Sequence, residues 1–166
     1  IIKRLQSEKQ NPYADVMFGG SMAGFRENAA LWEPYVSPED KNLIEGHRNK
    51  TGFATPYISD GSVLLVNKNL IGDIKIEGYA DLLNPQLKGK IASADPASSS
   101  SAFAQLTNML KAMGGDYENE QGWNYVGQLI QNLDGKIASG SGAVHKSVAD
   151  GEYVVCLTYE DPSSTY

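Results

Sequence analysis

Lys88-Gly89-Lys90-Ile91-Ala92-Ser93-Ala94-Asp95-Pro96-Ala97-Ser98-Ser99-Ser100-Ser101 is the stretch from which the rest of the chain is read. Ile91-Ala92 is a short apolar strand, and Asp95-Pro96 breaks it. The serine tract then opens onto Ala102-Phe103-Ala104-Gln105-Leu106-Thr107-Asn108-Met109-Leu110-Lys111, which predicts a helix. Strand, small-residue turn, helix is a geometry that holds anions. The first N–H groups of a helix lack intrahelical partners, and the macrodipole concentrates partial positive charge there. Two readings of Ser98, Ser99, Ser100 and Ser101 stand side by side. In one, a single serine is an N-cap and the others are solvated turn. In the other, the tract binds a ligand.

Downstream, the helix ends at Gly114-Gly115, with glycine as a helix stop. Glu118 to Leu133 predicts a second helix whose apolar face carries Trp123, Val126, Leu129, Ile130 and Leu133. Lys136 to Gly151 repeats the earlier logic. A short strand at Lys136–Ser139 meets the turn Ser139-Gly140-Ser141-Gly142, and a helix carrying His145 follows. His145 reads as a surface helix histidine, with reach toward a ligand as its second reading. Tyr153 to Tyr159 is a final strand, ending at Glu160-Asp161.

Upstream, Val63–Val66 is a continuous β-rich run bounded by Gly and Asn, and predicts a buried strand. Tyr79-Ala80-Asp81-Leu82-Leu83-Asn84-Pro85 is a short helix closed by proline. Residues 1–10 read as the end of a helix. Ala14-Asp15-Val16-Met17-Phe18 reads as a strand ended by Gly19-Gly20-Ser21, and residues 22–32 as a helix. Tyr35 to Lys50 is polar loop with a helical turn. Three predicted strand ends are therefore small and polar: Gly20-Ser21, Ser98–Ser101 and Ser139-Gly140-Ser141. A fourth, Tyr159-Glu160-Asp161, is acidic. In an α/β sheet such ends share one edge, where ligands sit.

Composition narrows the class. The chain has 166 residues, 41% hydrophobic and 20% charged, as suits a folded domain or two. A net charge of −6 argues against nucleic acid. No apolar run is long enough to cross a bilayer. The lone Cys156 excludes an internal disulfide and a cysteine-based zinc site. His47 and His145 lack metal-ligand spacing. There is no Gly-x-Ser-x-Gly elbow, Walker loop or Gly-x-Gly-x-x-Gly helix opening. Glu160 and Asp161 have acid–base chemistry, but no nucleophile stands beside them. Many small donors without a reactive group point to holding a molecule rather than transforming it. No cofactor is called for.

The segment Leu82–Ala102 resembles a stretch of the substrate-binding proteins of ABC importers. The nearest branch is the extracellular solute-binding proteins that take iron(III), phosphonates or phosphorylated compounds. Asn11–Ser21, Ser139–Val144 and Ala149–Val155 resemble segments of the same family, in the same order. The resemblance implies an α/β, type II periplasmic-binding-protein-like fold of two lobes, incomplete here because both chain ends read as cut. Residues 1–60 would be part of lobe one and 61–68 a crossover strand. Residues 69–161 would be lobe two, and 162–166 the start of a truncated return segment. It implies ligand contacts from Gly20, Ser21, Ser98, Ser99, Ser100, Ser101, Ser139, Gly140, Ser141, Glu160 and Asp161. Partners would be an anionic small molecule and an ABC permease, in the periplasm or on the cell surface. Iron-binding relatives often carry adjacent tyrosines after the last strand, since phenolates suit a hard ferric ion. This chain has only Tyr159 there, followed by Glu160, and these two would be the metal ligands if the cargo were iron. A phosphorylated or phosphonate ligand is therefore expected, with ferric iron as runner-up. A regulator's sensing domain and an enzyme on an α/β scaffold are the readings from other classes.

Overall fold

The computed structural model describes residues 1–166, which divide into two units, Ile1–Ser59 and Asp60–Tyr166. The first unit holds two short helices, α1 (Ile2–Ser7) and α2 (Met22–Glu27). Three 3₁₀ turns follow, at Ala29–Leu31, Pro38–Asn42 and Glu45–His47. None of these elements contains a buried residue. Local polar groups organise the chain instead. The Asn49 side-chain oxygen accepts from Thr51 N and Gly52 N, both at 2.9 Å, and Asp40 accepts from Asn49 N at 2.7 Å.

The strand expected over Ala14–Phe18 does not form. A strand needs a neighbour for its N–H and C=O groups, and this unit contains no other strand. Val16 and Phe18 are instead exposed, with the Phe18 ring stacked on Tyr57 at 4.4 Å. Gly20-Ser21 thus follows no strand end. The helix expected over 22–32 stops at Glu27 and resumes as a 3₁₀ turn. Asn28 is the reason: its amide donates to Gly24 O at 2.9 Å, competing with the backbone ladder.

The second unit is built on a four-stranded sheet of β1 (Ser62–Val66), β2 (Ile91–Ala94), β3 (Ile137–Ala138) and β4 (Val155–Tyr159), in the order β1-β4-β2-β3. β4 runs antiparallel to β1, from Ser62 opposite Tyr159 to Val66 opposite Val155. It runs parallel to β2 through Ile91–Val155 and Ala92–Cys156. α3 (Ser100–Gly114) and α4 (Glu120–Leu133) cover one face, and α5 (Gly142–Ala149) the other. The short α6 (Glu160–Ser163) continues from β4, turning the expected acidic strand end into a helical turn.

Strand alternation sorts the core into two layers. Ile91, Val155 and Leu157 meet Met109, Leu110, Tyr125, Val126, Leu129 and Leu133 under α3 and α4. Ala92, Ala94 and Cys156 meet Val144 and Val148 of α5, with Ala102 joining them. The small residues of this second layer let α5 lie close to the sheet. Burial pushes the Cys156 thiol up to about 12, so it stays a neutral packing group.

Three expectations need correction here. β1 is only half-buried because it is an edge strand, with β4 on one side alone. On α4 the buried face is Gly122, Tyr125, Val126, Leu129 and Leu133, while Trp123 and Ile130 are about half exposed. Close approach of α3 rotates the helix so that Gly122, not Trp123, faces inward. Trp123 meets its polar need outside, donating to Tyr117 O at 2.9 Å. His145 is buried rather than superficial, its ring 5.6 Å from that of Tyr166.

The crossing of α3 and α4 depends on two glycines. A Cβ on Gly114 would fall 2.9 Å from the Gly122 nitrogen, closer than a methyl can come to backbone. Gly127 lies on α4 with nothing near its missing Cβ. Gly114→Ala should cost about 1–3 kcal/mol by forcing the helices apart. Gly127→Ala should instead stabilise by about 0.5–1 kcal/mol through helix propensity. Denaturant unfolding of the two variants checks the pair; equal effects would contradict this packing.

Candidate functional site

The site is assembled where β2 and β4 part. Past Ala92–Cys156 these two strands no longer pair, while Ser93 and Ala94 pair with β3 on the opposite edge of β2. Asp95 then turns the chain. Its side chain accepts from Ala97 N at 2.9 Å, and its carbonyl accepts from Ser98 N and Ser99 N at 3.1 and 2.9 Å. Asp-Pro followed by serine thus makes a tight Asx turn into α3. Ser99 is the N-cap, extended at φ −122°, with its hydroxyl accepting from Ala102 N at 3.3 Å. The N–H groups of Ser100 and Ser101, ahead of that bond, have no acceptor within the helix.

The second turn comes alongside. Asp95 N donates to Ala138 O at 2.8 Å, and Ser98 Oγ donates to Ser139 O at 2.9 Å, tying the two turns together. Ser141 occupies the cap position of α5 in a helical conformation, and its hydroxyl caps nothing. Ser101 Oγ donates to it at 3.2 Å. Two helix N-termini therefore meet through a pair of serine hydroxyls. Their dipoles add in a place without a cationic side chain. Ser93, Ser101, Gln105, Ser141, Thr158 and Tyr159 line a small pocket there, with room for one water-sized group.

A buried polar chain backs this pocket. Tyr125 OH donates to Tyr79 O at 2.6 Å, and Tyr79 OH donates to Gln105 Oε1 at 3.4 Å. Gln105 Nε2 donates to Thr158 O. Burial raises both tyrosine pKa values, so the phenols remain protonated donors. The Thr158 hydroxyl and His145 Nδ1 are buried without a hydrogen-bond partner.

The sequence-predicted residues are distributed as follows. Ser98, Ser101, Ser139 and Ser141 come together at the two helix starts, with Gly140 in the turn between Ser139 and Ser141. Ser99 is buried and occupied as a cap, while Ser100 is exposed beside it. Glu160 and Asp161 are exposed just past Tyr159; their N–H groups donate to Gly61 O at 2.9 Å and Asp60 Oδ1 at 3.1 Å. Gly20 and Ser21 belong to the first unit, where Ser21 caps α2 by accepting from Gly24 N at 3.2 Å. Sequence reading missed Ser93, Gln105 and Thr158. The available signal was a polar residue interrupting an apolar strand at Ser93 and Thr158. Gln105 stands one turn beyond Ser101, on the buried stripe of α3.

No group of three or more His, Cys, Asp or Glu is arranged to hold a metal ion, and no helix is long and apolar enough to cross a membrane. A family model described as bacterial extracellular solute-binding protein matches residues 11–160. A solved two-component system protein, described as mediating signal transduction, is 28% identical; the match covers 99% of this chain and 53% of that one, with a TM-score of 0.75. The periplasmic binding protein AfuA of Actinobacillus pleuropneumoniae, solved with fructose-6-phosphate bound, is 25% identical over 95% of this chain and 51% of its own, with a TM-score of 0.77. The ferric binding protein from Campylobacter jejuni, at 23% identity, covers 96% of this chain and 50% of its own with a TM-score of 0.69, a likeness of fold alone. The chain thus spans about half the length of these structures. The α/β fold is that of type II periplasmic binding proteins. Match length and fold agree, and this chain belongs to the bacterial extracellular solute-binding proteins.

Proposed function

We propose that the protein carrying this chain captures a phosphorylated or phosphonate small molecule outside the cytoplasm and delivers it to an ABC permease. The two units would then belong to the two lobes of a binding protein. The observation that carries this reading is the Ser101–Ser141 contact, which brings two helix N-termini to one spot. Neutral donors suit a dianion because each bond is charge-assisted without a competing counter-ion. The carboxylates of Glu160 and Asp161 would face the remainder of the ligand, its hydroxyl or amine groups, since they repel phosphate. The AfuA structure, holding a sugar phosphate at 25% identity, supports the same ligand class. A ferric ion would instead need anionic oxygen ligands, of which Tyr159 is the only phenolate source in the pocket wall.

Isothermal calorimetry on the full-length protein with fructose 6-phosphate and inorganic phosphate tests the reading. Ser101→Ala and Ser141→Ala should each weaken binding by about tenfold or more, the loss of a bond worth roughly 1.5–3 kcal/mol. Ser101→Asp should abolish it by repulsion and filling. Tyr159→Phe should leave phosphate binding nearly unchanged. Tight ferric binding that disappears in Tyr159→Phe, with no response to phosphorylated compounds, would overturn the proposal in favour of iron.

Ser99 gives a contrasting outcome. Its hydroxyl is spent on Ala102 N, so Ser99→Ala should cost about 1 kcal/mol of stability as a lost cap, with little effect on affinity. Unfolding and binding measured on the same variant separate the two.

A further inference from the structure

Gln105 is 4% exposed, one turn beyond Ser101 on α3, and its side-chain amide bonds to two other elements. Nε2 donates to Thr158 O in β4, and Oε1 accepts from Tyr79 OH at 3.4 Å. These neighbours fix which way round the amide lies. A carbonyl can only accept, so the nitrogen faces Thr158 and the oxygen is left for the phenol. Burial holds Tyr79 in its protonated, donating form. Tyr79 is held in turn by Tyr125 of α4, whose OH donates to the Tyr79 carbonyl at 2.6 Å.

The bond to Thr158 joins two walls of the pocket. Ser101, Ala102 and Gln105 come from α3, and Leu157, Thr158 and Tyr159 from β4. It is the one side-chain hydrogen bond between these two elements. Apolar packing of a helix on a sheet is non-directional, so it resists separation better than sliding. A hydrogen bond at one register position resists both. The register set here passes along the chain on either side. Ser101, one turn earlier, meets Ser141 through its hydroxyl. Glu160 and Asp161 follow directly on Tyr159 at the start of α6, with their N–H groups held by Gly61 O and Asp60 Oδ1.

We propose that Gln105 is a positioning residue that determines ligand selectivity: it sets the spacing between the serine hydroxyls at the starts of α3 and α5 and the carboxylates of Glu160 and Asp161, and so decides which phosphorylated molecules span the two. The assignment rests on the phosphate reading above. It adds that the polar chain behind the pocket acts on selectivity without touching the ligand. Inorganic phosphate needs only the serine end. A sugar phosphate must place its phosphate at the serines and its hydroxyl groups at the carboxylates together. Hydroxyl-to-carboxylate bonds are charge-assisted and depend on distance and direction. Loosening the tie at Gln105 therefore penalises the larger ligand and spares the smaller.

The test compares inorganic phosphate with fructose 6-phosphate by calorimetry on the full-length protein, with the ligand-free melting temperature taken alongside. Gln105→Met exchanges the amide for an apolar chain of similar length. It should weaken fructose 6-phosphate about tenfold or more, the loss of one charge-assisted bond, and inorganic phosphate by less than about threefold. Tyr79→Phe removes the donor to Oε1 and leaves Gln105 in place. It should move the ratio of the two affinities in the same direction, by about threefold. A merely structural residue would lower the melting temperature and leave that ratio where it was, since lost stability touches both ligands alike. An unchanged or reversed ratio in Gln105→Met overturns the assignment, and if Ser101→Ala still weakens both probes the phosphate reading stands. Should Gln105→Met fail to fold, an unchanged ratio in Tyr79→Phe overturns it. The assignment also falls, with the phosphate reading intact, if the unaltered protein binds fructose 6-phosphate no more tightly than inorganic phosphate, because no second end is then in use. If the unaltered protein binds neither probe, the phosphate reading fails and this assignment fails with it.

Discussion

β4 has a strand bonded on each edge and is buried on both faces, and most of the second unit packs around it. Its antiparallel bonds to β1 and parallel bonds to β2 set the sheet order. Val155 and Leu157 point to the α3–α4 layer, and Cys156 to the α5 layer. A strand in this position has no solvated side, so its residues are apolar throughout. The exception, Thr158, comes near the strand's end, where the neighbouring strand has already turned away.

That divergence has a direct chemical consequence. Two parallel strands, β2 and β4, separate at their carboxyl ends and leave a crevice, and two helices start beside it. Here the two helices are α3, after β2, and α5, after β3. Their starts are tied by Ser98 to Ser139 and by Ser101 to Ser141. The unpaired N–H groups and summed dipoles of both helices then act on one point. Negative charge is favoured there without any lysine or arginine, which is compatible with an overall net charge of −6. Glu160 and Asp161, past the end of the same strand, bound the region with opposite character, so the polarity changes over a few residues of chain.

The first unit shows the opposite economy. With no pair of strands and no helix beyond six residues, it has no layer against which to bury a face. Its order comes from side-chain to backbone bonds around Ser21, Asn28, Asp40 and Asn49. Such bonds define turns, but they do not replace apolar burial as a source of stability.

The second unit is legible from its residues because its signals are local. Breakers such as Asp95-Pro96 and Gly114-Gly115, and apolar periods in the strands and helices, depend on backbone sterics and capping within a few residues. They place α3, α4, α5, β2 and β4 close to where they occur, and they mark Ser98, Ser101, Ser139 and Ser141 as helix-start residues. Tertiary structure alone decided what depends on partners. The Ala14–Phe18 strand is absent for want of a neighbour, and Trp123 lies outside because Gly114 and Gly122 bring two helices close together. His145 is buried by the packing of α5 and the return of Tyr166. Ser99 is spent on capping while Ser101 is turned to Ser141, a division of labour invisible in a run of identical residues. Thr158 and Gln105 line the small pocket only because the sheet parts beside one and the other reaches across to hold its carbonyl. Pairing, burial and the fate of a lone hydroxyl are properties of what lies across the gap, and that is settled by the fold.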